Sequence, residues 1–189
     1  MVRQSGRIRR HIIKRFGHDD RGATAVEFAL LALPFLALLF ASVEGAMVFW
    51  TNQVLDEAVA QASRTLYTGS FQQSTLTVPP AQIPDQFKNA VCSRVKGLFD
   101  CSQIKIDVQT YDAFPSGVPQ PIVTDPDGTR RLDPAFGQFK PPGPYKITVV
   151  RAVIEYPVYA SILGANTSNL NGNKRLIMAT AAFPTEQYL

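Results

Sequence analysis

Histidine is the scarcest chemical resource in this chain of 189 residues: there are two, His11 and His18, and both fall in a basic N-terminal stretch. From Asp19 onward no imidazole is available, which removes Ser-His and Cys-His nucleophile pairs and histidine metal ligation from that part of the chain. A P-loop, a G-x-S-x-G elbow and a dinucleotide glycine fingerprint are all missing. There are no internal repeats. Cysteine is limited to Cys92 and Cys101, a C-x8-C pair without a neighbouring histidine, and so a poor zinc site. Positive charge is scarce over most of the length as well. Seven of the 19 Lys and Arg lie before Ala23, leaving twelve against thirteen Asp and Glu in the remainder. A nucleic-acid surface on the folded part therefore has little support. No cofactor or metal is expected.

The most informative absence is that of any charged side chain from Phe28 to Val43. With shoulders at Ala23–Glu27 and Glu44–Trp50, this apolar run exceeds the roughly 20 helical residues that cross a hydrocarbon core of about 30 Å. It is also longer than a secretory h-region, and Glu44-Gly45-Ala46 puts a glutamate where a signal peptidase prefers a small residue. Pro34 is tolerable in a membrane helix when neighbours re-satisfy the backbone. Arg3, Arg7, Arg9, Arg10, Lys14, Arg15 and Arg21 precede the run, so the positive-inside rule predicts a cytoplasmic N-terminus and an exported C-terminal domain. On that side of a membrane disulfides persist. Cys92–Cys101 is the expected bridge, worth roughly 2.5 to 3 kcal/mol by chain entropy, with two free buried thiols as the alternative.

Beyond the run, Trp50, Val54, Ala58, Ala62 and Leu66 recur every four residues, with Leu55 and Val59 beside them. Gln53, Glu57, Gln61 and Arg64 take the opposite face. The pattern predicts one helix from about Ala23 to Tyr67, stopped by Gly69. Residues 68–82 read as a loop. Pro84 opens a helix with the stripe Phe87, Val91, Val95 and Leu98, and Gly97 marks its end. Ile104, Ile106 and Val108 alternate with Lys105, Asp107 and Gln109 as a half-buried strand. Ala113–Pro144 is rich in Pro and Gly, with a turn at Asp125-Pro126-Asp127-Gly128 rather than a calcium loop, whose full pattern is missing. Tyr145–Tyr159 is a strand that Pro157 ends or pushes to an edge. A polar loop, Asn166–Asn173, leads to a last strand at about Arg175–Phe183. Asn166-Thr167-Ser168 matches a glycosylation sequon, which is read as noise. The expected fold is α+β: a basic leader (1–22), a transmembrane and projecting helix (23–67), and a small antiparallel-sheet head (68–189).

Two carboxylates accompany the apolar run. Glu27 either snorkels to the headgroups or has a function, since an ionised group in hydrocarbon is costly unless paired. Cleavage between Gly22 and Ala23 would create an α-amino group four residues upstream of it. Its carboxylate would then neutralise the terminal ammonium of a neighbouring subunit and set the register of a helix bundle. Glu44, roughly 32 Å beyond Ala23 along the axis, is expected to be a solvated interfacial carboxylate in preference to a packing group. Phe49 and Trp50 suit an interfacial aromatic belt, and Trp50 alternatively anchors the head.

A basic leader ending in Gly, then A-x-x-x-E-F and an apolar helix, resembles the class III signal of type IV pilin-like proteins. The string Arg21-Gly22-Ala23-Thr24-Ala25-Val26-Glu27-Phe28-Ala29-Leu30-Leu31 is similar to the TadE-like family, the minor pseudopilins of the tight adherence (Tad, or Flp) pilus system. So is the second patch, Val43-Glu44-Gly45 with Phe49-Trp50-Thr51-Asn52-Gln53, although the family often has a large apolar residue where Gly45 stands. The resemblance implies removal of the leader between Gly22 and Ala23 by a prepilin peptidase in the inner membrane. It makes Glu27 and Phe28 assembly determinants. The implied partners are other pseudopilins, the major Flp pilin, and the Tad assembly platform and ATPase. The rival readings are an unprocessed single-span inner-membrane scaffold and a membrane-tethered periplasmic enzyme, the latter marked by a cleft of converging acidic residues.

Overall fold

The computed structural model describes residues 20–95, 97, 99–163 and 166–187. The leader before Asp20, with both histidines, and Leu98 lie outside the described residues. Helix α1 runs Asp20–Tyr67 with Pro34 inside it. Two compact units divide within it, one ending at Val43 and the other running Glu44–Leu189.

The apolar residues of the first unit have no core to enter. Phe28, Leu31 and Leu38 are each at least 70% exposed, and Val26, Leu33, Phe35 and Phe40 are also exposed. Helix α1 is long and apolar enough to cross a membrane.

In the second unit the same helix becomes one-sided. Leu55, Ala58, Val59, Ala62 and Leu66 are buried, whereas Gln53, Glu57 and Arg64 face solvent. Trp50 departs from the predicted stripe: it is half exposed, and Thr51 takes the buried position instead. Tyr67 ends the helix, and Gly69, at φ 74°, makes the left-handed turn that a side chain would oppose. The following segment is not a plain loop. A five-residue helix α2 (Ser70–Ser74) and a 3-10 turn (Pro80–Gln82) interrupt it. Helix α2 has two local functions. Gln72 Nε2 and Ser70 Oγ donate to the carbonyls of Leu66 and Thr65, satisfying acceptors that the end of α1 leaves open. Phe71 swings into the core, edge-on to Phe87 at 5.5 Å between ring centroids.

Helix α3 (Ile83–Val95) carries Asp85 in its first turn and Arg94 in its last, both favourable to the helix dipole, and buries Phe87, Val91, Cys92 and Val95. Strands β1 (Lys105–Tyr111), β4 (Ile147–Pro157) and β5 (Lys174–Pro184) form an antiparallel sheet in the order β1-β4-β5. Val150, Ala152, Ile154, Val108, Ile177 and Ala179 join the buried side chains of α1, α2 and α3 in one cluster.

β4 is buried on both faces from Ile147 to Ile154. The second face is covered by the Pro- and Gly-rich stretch, which forms a hairpin of β2 (Ile122–Thr124) and β3 (Arg130–Leu132) beyond the three expected strands. Leu132 and Phe136 from this cover pack with Val153, Leu170 and Leu176 in a second cluster. The expected turn closes the hairpin, with Gly128 at φ 83°. Further on, the amide of Val108 donates to Gln138 (2.7 Å) and that of Lys140 to Val108 (2.9 Å), so the cover also pairs with the outer edge of β1. Strand β1 is therefore less half-buried than its alternation suggests. Pro157 closes β4, as its missing N–H requires.

Candidate functional site

The residues singled out in the sequence for leader processing lie on the first turns of α1. Gly22 is exposed, with open space around the position a Cβ would take. Glu27 and Phe28 are exposed on the same helix, Phe28 at 73%. The backbone of Ala23 is helical, and Glu27 follows it at i+4, so both positions share one face. Glu27 is also the one ionisable residue between Thr24 and Val43. Apart from Thr24, Glu27 and Ser42, the exposed side chains along this part of α1 are apolar.

Residues 22–64 match the family model for TadE-like proteins. Over that segment the chain is similar to TadE-like proteins. The segment opens on the glycine of the basic leader, contains Glu27, Phe28 and Glu44, and closes at Arg64, so it falls within α1. No curated protein and no solved structure matches the chain. The head beyond the TadE-like segment is accordingly read from its own geometry.

Glu44 differs from its expected solvated role. Its carboxylate accepts the backbone N–H of Tyr159 at 2.9 Å and that of Ala160, at the start of a 3-10 turn (Ala160–Leu163). Orphan amides at such a turn are natural partners for an anion. Glu44 thus fastens the chain after β4 to the first turn of the second unit. Between them lies a cavity of about 220 Å³, lined by Met47, Trp50, Phe99, Ile154, Tyr156 and Pro157. Burial, then the nearby Glu44 charge, pushes the Tyr156 hydroxyl above its ordinary pKa and keeps it neutral.

Cys92 on α3 and Cys101, which opens a 3-10 turn (Cys101–Gln103), are joined in a disulfide with Cα atoms 5.7 Å apart. The Asp100 carboxylate accepts the amide of Ser102 at 2.9 Å, and that bond lowers its pKa.

The sequence reading missed the most buried charged pair. Asp107 and Arg151 are cross-strand partners on β1 and β4, joined by Arg151 Nη2 to Asp107 Oδ2 at 2.6 Å, with side chains 2% and 8% exposed. The other carboxylate oxygen accepts the amide of Gln138 (3.1 Å) and Gln109 Nε2 (3.1 Å). Arg151 Nη1 donates to the carbonyl of Pro119, and the guanidinium lies 5.0 Å above the ring of Phe136. Each polar atom used here comes from the cover or the sheet, so the pair tethers one to the other. A signal existed: Arg151 is the lone charge among Ile147–Ile154.

Three further acidic side chains of the head are tied individually to cations. Asp125 accepts from Arg131, Asp112 from Lys146, and Glu155 from Lys174. Asp125 and Asp127 serve the hairpin turn, in which Asp127 accepts the amide of Thr129 at 2.9 Å. Among the described residues no group of three or more His, Cys, Asp or Glu is arranged to hold a metal ion.

Proposed function

We propose that this chain is a minor pseudopilin that takes part in assembling a Tad/Flp adhesive pilus after cleavage between Gly22 and Ala23. The observation that carries this reading is the TadE-like match over 22–64, which begins at the glycine of the proposed cleavage site and includes Glu27. The family is one of pilus components, and the chain is read as a structural subunit accordingly. In this account α1 anchors the precursor in the inner membrane with its basic leader in the cytoplasm and its head in the periplasm. A prepilin peptidase removes the leader. Other pseudopilins, the major Flp pilin, and the Tad platform and ATPase then draw the subunit into the fibre base or tip.

The physical role of Glu27 follows from charge. Cleavage leaves an α-amino group with a pKa of about 7.7 to 8, largely protonated at neutral pH. Within hydrocarbon that ammonium and the Glu27 carboxylate are each costly alone and far less so as a pair. Pairing between neighbouring subunits fixes the helices in register.

The deciding experiment is the N-terminus and intact mass of the protein from its host, with and without the prepilin peptidase. A chain starting at Ala23 only when the peptidase is present supports the proposal. A chain retaining its leader in both strains defeats it in favour of an unprocessed membrane scaffold. In the first case Glu27→Ala is expected to be cleaved normally yet lost from sheared pili, whereas Gly22→Val blocks cleavage.

A further inference from the structure

The end of the head that begins at Glu44 exposes an unusual set of side chains for a folded unit. Phe49 is 72% exposed, Tyr159 67%, Trp50 52% and Met47 41%. Three of them are linked: Glu44 holds the backbone at Tyr159, and Met47 and Trp50 line one cavity with Tyr156, whereas Phe49 stands about 160° round the helix from Met47. Clustered large apolar groups on a surface mark an interaction site.

Chain continuity identifies what covers them. If Thr24–Val43 crosses the bilayer, as the proposed function holds, its length of about 30 Å matches the hydrocarbon core. Glu44 then stands at the boundary, and Trp50 lies about 9 Å beyond it along the helix. The headgroup layer on each side is about 5 to 8 Å thick, so Met47, about 4.5 Å past Glu44, falls within it and the Trp50 backbone stands at its outer edge, the zone where tryptophan and tyrosine concentrate. Tyr159 is brought to the same level by the Glu44 clamp, although it lies more than a hundred residues away in sequence. Glu44 itself suits this boundary because two backbone amides take up its carboxylate.

We infer that Met47, Trp50 and Tyr159 form a lipid-facing surface by which the head of the membrane-anchored precursor rests in the headgroup layer. Glu44 is the positioning residue that adds Tyr159 to it. The surface holds aromatic and thioether groups and no lysine or arginine, so it recognises the interface of a neutral bilayer and does not require anionic lipid.

The test uses the full chain in phosphatidylcholine vesicles. Cys92 and Cys101 are bonded to each other, so a nitroxide can be placed at Tyr159→Cys, with Leu36→Cys and Leu76→Cys as references inside the span and on an exposed head loop. Collision with oxygen reports lipid, and collision with a water-soluble nickel complex reports solvent. The label at position 159 is expected to show an oxygen-to-nickel ratio several-fold above position 76 and below position 36. In the unaltered chain, Trp50, the sole tryptophan, is expected to be quenched by lipids brominated near the headgroup more than by lipids brominated at the chain end. A label at position 159 as open to nickel as the one at 76 overturns the inference and leaves the membrane span standing. Protection from both reagents also overturns it, in favour of a protein partner. Failure of the chain to float with vesicles removes the membrane reading itself, and this inference with it.

Discussion

Arg151 sits in a run of β-branched and aliphatic residues where a charge is hard to place. Its stability there depends on complete satisfaction by Asp107, the Pro119 carbonyl and the face of Phe136. Removing one partner leaves the other buried and uncompensated, so Arg151→Met or Asp107→Leu is expected to cost about 3 to 5 kcal/mol. The double variant is expected to cost less than the sum of the two, and denaturant unfolding of all four proteins measures the coupling. At Glu44 the loss is local. Glu44→Ala removes the acceptor for two amides, so hydrogen exchange at Tyr159 and Ala160 is expected to quicken at least tenfold while that of Val150 is unchanged. Single residues were the hardest scale to read in advance. The alternation of β1 assigned Asp107 to water because nothing in its own strand reveals that a segment some thirty residues away covers that face.

Elements were legible wherever a hydrophobic period was sustained. The second half of α1, the first turns of α3 and the long strands β4 and β5 follow their apolar patterns closely. The cover and α2 did not, because each is built on single anchors: Phe71 in a five-residue helix, Leu132 and Phe136 among prolines and glycines. The β2–β3 hairpin adds an ionic anchor, with Asp125 accepting two bonds from Arg131 at 2.6 and 2.9 Å. That partner holds the Asp125 carboxyl below the usual carboxylate range. A depressed folded-state pKa means the contribution is present above the unfolded value, about 3.9, and is lost as pH falls through the folded value. The wild type should therefore exceed Asp125→Asn in stability at pH 6 and converge with it below about pH 4, as thermal unfolding across pH would show. Convergence of the two only at alkaline pH would contradict this assignment.

For the whole chain, the sequence carried the division between an apolar span and a one-sided, core-forming helix, because charge disappears from Phe28 to Val43 and returns at Glu44. It also carried the cysteine pairing, since Cys92 and Cys101 both follow the span, on the side predicted to be exported, where disulfides persist. Closing that short loop is expected to contribute about 2.5 to 3 kcal/mol, so Cys92→Ser with Cys101→Ser should lower unfolding stability by that order without changing the sheet. What the pattern could not convey is which surfaces meet, because burial of a polar side chain is decided by distant chain segments.

The tether between Asp107 and Arg151 also bears on how such a head can be diversified. Pro- and Gly-rich surface segments are ordinarily the parts of a protein most open to exchange. Here the segment from Ala113 to Pro144 supplies the carbonyl of Pro119 and the amide of Gln138 to two charges rooted in the sheet. Transplanting that segment alone would import a set of ligands without their ions, and replacing it would strand the ions without their ligands. The smallest exchangeable cassette is therefore the cover together with Asp107 and Arg151, a unit scattered over the sequence and contiguous only once the chain has folded.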